Sequence, residues 1–217
     1  LPNSENIQWT VFAKDCFNST FQDGLESFYV NSKTILEISP SAPNGLKSWY
    51  ISEPSFTLIN DDASEIFYEW DSDGNLTYSG TFSLDDTPNN ANVTGGILEL
   101  NYWSDVCNEA HHRKVINADF SNPAIKNLVP EENSIVINNP RPLISALLDE
   151  IYQSNSGIDK HDTTMFIDGS EVNPKIEDQG SQDAEISYQP THDLSEGTHE
   201  VRIDAFDESG RSSTRIW

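Results

Sequence analysis

The stretch "EVRIDAFDESG", residues 200–210, gives the clearest indication of the fold class. Val201, Ile203 and Ala205 alternate with charged residues, which is the period of a strand with one buried face. Asp, Glu, Ser and Gly then break the alternation and predict a turn. Two other stretches, "QWTVFAKDCFN" from residue 8 and "LELNYWSDVCN" from residue 98, end in the same way. The sequence therefore predicts a strand and turn that recur along the chain.

Short apolar runs separated by turn residues continue through the rest of the chain, for example "TILEI", "IFYEW", "TMFI" and "AEISY". One run, "LISALLDE" at residues 143–150, fits either a short helix or a strand. Pro140 and Pro142 precede it and a Ser- and Gly-containing segment follows it, so we favour the strand. Regularly spaced short strands of this kind predict an all-β fold of antiparallel sandwiches.

The recurring stretches also predict how the chain is divided. Asp15, Asp105 and Asp207 end the three similar strands at intervals of about 100 residues, the size of one immunoglobulin-like sandwich. We therefore predict tandem immunoglobulin-like β-sandwich modules in series, in a piece of a longer array. The predicted division is a C-terminal hairpin of a truncated module at 1–38, a linker at 39–44, a sandwich at 45–118, and a sandwich with a truncated last strand at 119–217.

The charge of the chain excludes one class of partner. Its 217 residues include 36 acidic and 12 basic side chains, a formal net charge of −24. Such a field repels phosphate, so we predict no nucleic-acid partner, whereas cations are attracted. No apolar run approaches the ~20 residues that a membrane-spanning helix needs, so no direct membrane insertion is expected.

Sequons and cysteines bear on the compartment. Asn18, Asn75 and Asn92 each begin an N-x-S/T triplet near a predicted turn, where a glycan could be carried, and this favours an extracellular chain. Cys16 and Cys107 follow strand-ending Asp residues at the same end of successive modules. We therefore predict no disulfide between them in an extended array, because a disulfide needs Cα atoms about 5.5 Å apart.

The acidic pairs do not predict an active site. They lie in loops and recur once in each module, so the fold explains them better than a single catalytic centre does. Asp204 is expected to face outward from its strand, and Asp207 to shape the turn. The sequence therefore predicts no catalytic residue and a protein that is not an enzyme. The pairs are Asp61-Asp62, Asp71 and Asp73, Glu131-Glu132 and Asp149-Glu150.

Metal-binding patterns are also incomplete. "DSDGN" at residues 71–75 resembles the opening of a calcium loop, but Phe82 stands where an EF-type loop needs Glu, so we interpret it as an Asp-Gly turn. His111 and His112 would point to opposite faces of a strand and cannot share a zinc ion without other ligands. We interpret them as part of a solvated strand edge. The sequence thus predicts no metal ligand and no cofactor, and it leaves calcium open because loops at module junctions can supply oxygen ligands.

Two segments resemble a known group. "FTLINDDASEIFYEWDSDG…YSGTF…GILELNYWSD" and "SGID…TMFIDG…ISYQP…DLSEGTHEVRIDAFDESGR…TRIW" resemble the tandem immunoglobulin-like repeats of prokaryotic cell-surface proteins. The acidity and sequons are similar to those of archaeal S-layer glycoproteins. The first segment departs from the pattern, since Glu65 replaces a turn Gly and the turn after Asp105 lacks one. The matching positions are Ser156, Gly157, Ile158, Asp168, Gly169, Gly197, His199, Val201, Asp207, Gly210 and Trp217.

The resemblance implies a structural role in a cell-surface or S-layer protein, as a lattice or spacer element of an acidic glycoprotein. Its expected partners are other copies or neighbouring modules, cations and glycans. Two alternatives stay open. An adhesion or carbohydrate-binding module would show an exposed row of aromatic side chains, to which Trp49-Tyr50 and Tyr102-Trp103 could each contribute one outward neighbour. A spacer domain of a secreted hydrolase would be accompanied by a catalytic domain elsewhere in its chain.

Overall fold

The computed structural model describes residues 13–14, 20–21, 33–71, 74–84, 95–106, 109–150, 156–180 and 182–217. Most of the predicted N-terminal hairpin therefore lies outside the described residues. The predictions for several single positions lie outside them too and stay predictions: Asp15, Cys16, Asn18, Asp73, Asn92 and Cys107.

The described part of the chain is all-β, as predicted. It contains no α-helix, and no helix in it is long and apolar enough to cross a membrane. A 3₁₀ turn spans Leu46–Ser48. The strands are β1 (Ala13–Lys14), β2 (Thr20–Phe21), β3 (Ile35–Ser39), β4 (Ser55–Ile59), β5 (Ile66–Trp70), β6 (Leu76–Thr77), β7 (Phe82–Ser83), β8 (Gly95–Ser104), β9 (His112–Asp119), β10 (Ala124–Val129), β11 (Ile144–Asp149), β12 (Thr164–Ile167), β13 (Ser170–Val172), β14 (Lys175–Asp178), β15 (Ala184–Tyr188), β16 (Val201–Phe206) and β17 (Ser212–Ile216).

Four antiparallel sheets form two sandwich-like units, each around its own core. In the N-terminal unit (residues 34–119), sheets β3-β4-β7 and β6-β5-β8-β9 enclose a core that includes Phe56, Trp70 and Leu100. In the C-terminal unit (residues 124–217), sheets β10-β11-β15-β14 and β13-β12-β16-β17 enclose a core that includes Met165 and Ile203. Strands β1 and β2 pair with each other.

The two units have the same strand order. Counted along the described chain with β14 left out, the first, second and fifth strands of each unit share one sheet, and the fourth, third, sixth and seventh share the other. The C-terminal unit adds β14 at the edge of its first sheet. The repeat in the sequence is therefore also a repeat in topology.

One turn contact is repeated as well. Asp71 and Asp168 each follow the third strand of their unit with positive φ, 46° and 50°, a conformation that Asp tolerates better than most residues. The N–H of Glu99 donates to Oδ1 of Asp71 at 2.8 Å, and the N–H of Glu200 donates to Oδ1 of Asp168 at 2.9 Å. The Asp-Gly turn interpreted at residues 71–75 includes Ser72 and Asp73, which lie outside the described residues, so it stays a prediction.

Two strand assignments bear directly on the predictions. Residues 144–149 form β11, so the strand favoured for "LISALLDE" is confirmed over the helix. Strand β3 pairs with β4 from Ile35↔Ile59 to Ser39↔Ser55. Residues 35–38, predicted to end an earlier module, therefore belong to the same sheet as β4, and the predicted linker at 39–44 does not separate two sheets.

Candidate metal centre at the junction of the two units

The two units contact each other closely beside the segment that joins β9 to β10. Leu46 of the N-terminal unit donates its N–H to the carbonyl of Ser209 at 2.7 Å. Arg211 of the C-terminal unit donates from Nη1 to the carbonyl of Ile51 at 2.8 Å, and from Nε to Oδ1 of Asn122 at 2.9 Å. Hydrogen bonds from both sides therefore fix how the units meet.

Glycine permits this close approach at one position. A Cβ placed on Gly45 would lie 2.7 Å from the carbonyl oxygen of Ser209 and 2.6 Å from the Ile51 side chain. Both distances are shorter than any real Cβ contact. A larger residue at position 45 would therefore push the two units apart.

Three buried carboxylates lie at this junction. Asp119 ends β9 of the N-terminal unit, whereas Glu150 and Asp207 directly follow β11 and β16 of the C-terminal unit. Their exposed fractions are 0%, 4% and 1%. One carboxylate oxygen from each residue lies within 4.8 Å of the other two. Both units thus contribute to a single cluster of negative charge.

Hydrogen bonds orient two of the three carboxylates. Oδ2 of Asp119 accepts from the N–H and the hydroxyl of Ser156, at 2.9 and 2.6 Å. Oδ1 of Asp207 accepts from the N–H and the hydroxyl of Ser209, at 2.9 and 2.6 Å, and from the N–H of Arg211. Burial raises the pKa of Asp207, the bonds from Ser209 and Arg211 lower it, and the charge of Asp119 raises it, with a net upward shift.

The ligand set of this cluster consists of oxygen atoms alone. Buried carboxylates are costly unless they are paired, hydrogen-bonded or bound to a metal. Carboxylate oxygens are the ligands that hard divalent cations prefer. The cluster is therefore suited to holding a cation, and it would do so with residues from both units.

The structure separates the acidic pairs singled out in the sequence. Asp61 and Asp62 lie exposed in the turn after β4. Glu132 forms an ion pair with Arg215 at 2.6 Å, and Asp149 pairs with Lys126. Of the paired residues that the structure describes, Glu150 belongs to the buried cluster and the others named here do not.

The histidines have separate roles. His111 stacks on Trp103 with ring centroids 3.9 Å apart, whereas Nε2 of His112 lies 2.9 Å from Oε1 of Glu109. The two rings lie apart, as expected. The prediction of a solvated strand edge is wrong for His112, because only 18% of its side chain is exposed.

His199 is the one histidine of the C-terminal unit whose ring forms a hydrogen bond with an aspartate among the described residues. Its Nδ1 lies 2.8 Å from Oδ2 of Asp168, and its Nε2 lies 2.8 Å from the carbonyl of Ser195. The bonds to Ser195 and Asp168 raise the pKa of His199. Because the second nitrogen contacts a backbone carbonyl rather than a hydroxyl, the pair fixes the loop before β16.

The remaining predicted positions lie apart from the cluster. Asn75 is exposed directly ahead of β6. Trp49 and Tyr50 are both buried, so the expectation that one of them faces outward is wrong. No protein-family model matches this chain, and no curated protein matches its sequence.

Proposed function

We propose that the chain is a structural, non-enzymatic segment of an extracellular cell-surface or S-layer protein, built from tandem immunoglobulin-like modules. The observation that carries this proposal is the repeated strand order. The strands of each unit can be lettered along the chain, with β6 and β13 as strand C′ and β14 as strand D of the C-terminal unit. One sheet of each unit then has the order A-B-E, and the other has the order C′-C-F-G. This order matches that of immunoglobulin-like sandwiches, and the match supports the proposal.

The junction supports a role as a spacer. Only residues 120–123 separate β9 from β10, and Leu46, Arg211 and Gly45 bring the two units into direct contact. A short linker with specific hydrogen bonds holds neighbouring domains at a fixed angle, whereas independent domain motion is the default without such contacts. Repetition of this joint would give an extended array with constant spacing.

The surface chemistry fits an extracellular lattice element. The net charge of −24 keeps neighbouring copies soluble and attracts cations that could bridge them. The exposed Asn75 begins a sequon and provides a position for a glycan. The proposed partners are further copies of the chain or neighbouring modules, together with cations.

The spacer function predicts that the two units tumble as one body. Replacing Arg211 with alanine removes the hydrogen bonds to Ile51 and Asn122, so we expect a broader distribution of distances in small-angle X-ray scattering. NMR relaxation should likewise give shorter, separate correlation times for the two units of the variant. The matched control is Arg215→Ala, which removes an exposed ion pair with Glu132 inside the C-terminal unit and should leave both readouts unchanged. Independent tumbling of the units in the unaltered chain would contradict the spacer function.

A second candidate function has one specific observation in its favour. Trp103 stacks between Phe67, at 5.9 Å, and His111, at 3.9 Å. Tyr68 and Trp70 of the same strand as Phe67 are buried in the core, so this row lies on the outer face of its sheet. Flat aromatic rows of this kind suit the faces of sugar rings, which favours glycan adhesion as the alternative.

The adhesion function predicts a specific loss. Replacing Trp103 with alanine removes the centre of the stacked row, and the affinity for a glycan that binds the chain on a glycan array should fall by about tenfold or more. Ile97→Ala changes an exposed apolar residue of the same strand and should not alter that affinity. If no glycan on the array binds the unaltered chain, the adhesion alternative is rejected.

A further inference from the structure

Asp119 and Asp207 place two neighbouring negative charges in the buried cluster. Among the described residues, no Lys, Arg or His forms an ion pair with Asp119 or Asp207. The nearby basic side chains are used elsewhere: Lys47 pairs with Glu208, and the guanidinium of Arg211 contacts Ile51 and Asn122. Burying ionised carboxylates without an opposite charge is strongly unfavourable.

One oxygen atom of the cluster points to a ligand independently of the charge. Oδ2 of Asp207 is buried and accepts no hydrogen bond from any residue that the structure describes. The other oxygen of the same carboxylate accepts from Ser209 and Arg211, so the group is held firmly while Oδ2 keeps its acceptor capacity. Buried polar atoms almost always have a partner, and a bound cation would be that partner.

The N-terminal unit provides an internal comparison. At the end of its second strand, where the C-terminal unit has Glu150, stands Asn60, whose amide donates to Ser104 and Thr34 at 3.1 Å each. The carboxylate at that end of the unit, Glu109, is surrounded by hydrogen-bond donors. In the N-terminal unit this end of the sandwich thus holds an amide and hydrogen-bond donors. The corresponding end of the C-terminal unit, at the junction, holds the three carboxylates.

We propose that Asp119, Glu150 and Asp207 bind one calcium ion, which links the last strand of the N-terminal unit to the C-terminal unit. Calcium accepts about six to eight oxygen ligands in irregular geometries, and three carboxylates can supply several of them. Zinc favours nitrogen and sulfur ligands, which the cluster does not contain. Magnesium demands a smaller, near-octahedral shell and retains its waters, which suits a buried carboxylate cluster less well.

The ion would act on the joint between the units. Asp119 lies in the N-terminal unit and the other two ligands in the C-terminal unit, so bound calcium would hold β9 against the turns after β11 and β16. Binding to the folded state alone also raises its stability, by an amount that grows with the logarithm of the ion concentration once this exceeds the dissociation constant. The assignment of the ion stands on the carboxylates, whereas its stiffening effect rests on the proposed spacer function.

Isothermal titration calorimetry on the full chain, stripped with a chelator and dialysed, tests the site with Ca²⁺ as the probe. We expect one saturable calcium site per chain, weaker binding of Mg²⁺, and a melting temperature that rises with added calcium. Asp207→Asn and Glu150→Gln should each weaken calcium binding by about tenfold or more, because affinity depends on the number of charged ligands. In chelator, Glu150→Gln should melt no lower than the unaltered chain, since it removes one of three neighbouring buried carboxylates.

The matched control is Asp71→Asn. It removes a carboxylate from the stretch at residues 71–75, which resembles the opening of a calcium loop. An Asn oxygen can still accept from the N–H of Glu99, so calcium binding should be unchanged. Glu150→Gln covers the case in which Asp207→Asn fails to fold, because Glu150 follows β11 and lies outside the turn after β16 that Asp207 shapes. The proposal is overturned if the chain binds no calcium with defined stoichiometry, if Mg²⁺ binds as tightly, or if Glu150→Gln leaves binding unchanged.

Scattering with and without calcium separates this inference from the spacer function. If the units are rigid and no calcium binds, the calcium site is rejected and the spacer function stands. A calcium site between units that tumble independently would leave the metal assignment standing and reject the spacer. A chain that becomes stiffer as calcium is added would support both.

Discussion

Replacing Phe56 with alanine is expected to lower the free energy of unfolding of the N-terminal unit by about 3–5 kcal/mol. Phe56 is fully buried, and its ring lies 5.3 Å from that of Trp70 and 5.4 Å from that of Phe82. Truncation would remove the transfer free energy of the ring and leave a cavity between the two sheets. Because a typical domain is stable by only about 5–15 kcal/mol, urea unfolding should show a large shift in the transition of this unit.

Two further variants show whether the effect belongs to one core. Ile97→Ala changes a side chain that is 66% exposed in the same unit and should cost less than about 0.5 kcal/mol. Met165→Ala, in the core of the C-terminal unit, should lower a separate transition by about 2–5 kcal/mol. If Phe56→Ala and Met165→Ala shift one common transition equally, the two cores unfold as a single cooperative body and the division into two units is wrong in energetic terms.

Local periodicity explains why the fold class could be predicted. Val201, Ile203 and Ala205 are buried and alternate with half-buried Arg202 and Asp204, as the opening stretch required. The period of a strand is a property of neighbouring residues, so it can be found without knowing what the strand pairs with. Asp71 and Asp168 also adopt a positive φ, which Asp tolerates for local steric reasons, whereas their hydrogen bonds from Glu99 and Glu200 join residues 28 and 32 positions apart.

Pairing between distant strands could not be predicted in this way. The alternation in "TILEI" is that of a strand, yet its partner is β4 and the N-terminal unit begins earlier than expected. Register and sheet membership depend on contacts between segments far apart in the chain. The predicted linker at 39–44, which rested on the prolines and serines at residues 39–43, therefore does not separate two sheets.

The buried cluster escaped sequence reasoning for a related reason. Asp105 and Asp207 end similar strands, but Asp105 is exposed, whereas Asp207 is buried against the other unit. The predicted division placed Asp119 at the start of the sandwich at 119–217, and Glu150 was interpreted as half of an acidic pair. Their proximity depends on how the units dock, which no spacing in the sequence reveals. Asp207 does shape its turn, as predicted, through Oδ1.

The corresponding end of the N-terminal unit is closed by a single carboxylate. Oε1 of Glu109 accepts from the N–H of Thr34 at 2.6 Å, and Oε2 accepts from the hydroxyl of Thr34 at 2.7 Å and from the N–H of Ser104 at 2.8 Å. His112 and the hydroxyl of Ser104 also contact it. Glu109 thereby fastens the segment before β3 to the turn between β8 and β9.

Replacing Glu109 with glutamine should therefore destabilise the N-terminal unit strongly. Burial raises the pKa of Glu109, but the hydrogen bonds from Ser104, Thr34 and His112 lower it more, to about 2. A shift of that size from the value of 4.5 corresponds to about 3 kcal/mol that the charged form contributes near pH 7. Glutamine keeps the shape but loses the charge, and its NH₂ group would face donors, so urea unfolding should show a loss of about 2–3 kcal/mol.

The pH dependence distinguishes this charge effect from a loss of packing. Because the folded pKa lies below the unfolded one, the contribution is complete above about pH 4.5 and is lost as pH falls toward about 2. The difference between Glu109→Gln and the unaltered chain should therefore shrink by more than half near pH 3. Glu99→Gln, which disrupts the exposed ion pair with Arg113, serves as the control and should change stability little at either pH. A difference for Glu109→Gln that is equal at both pH values would show that the Glu109 charge does not stabilise this end of the unit.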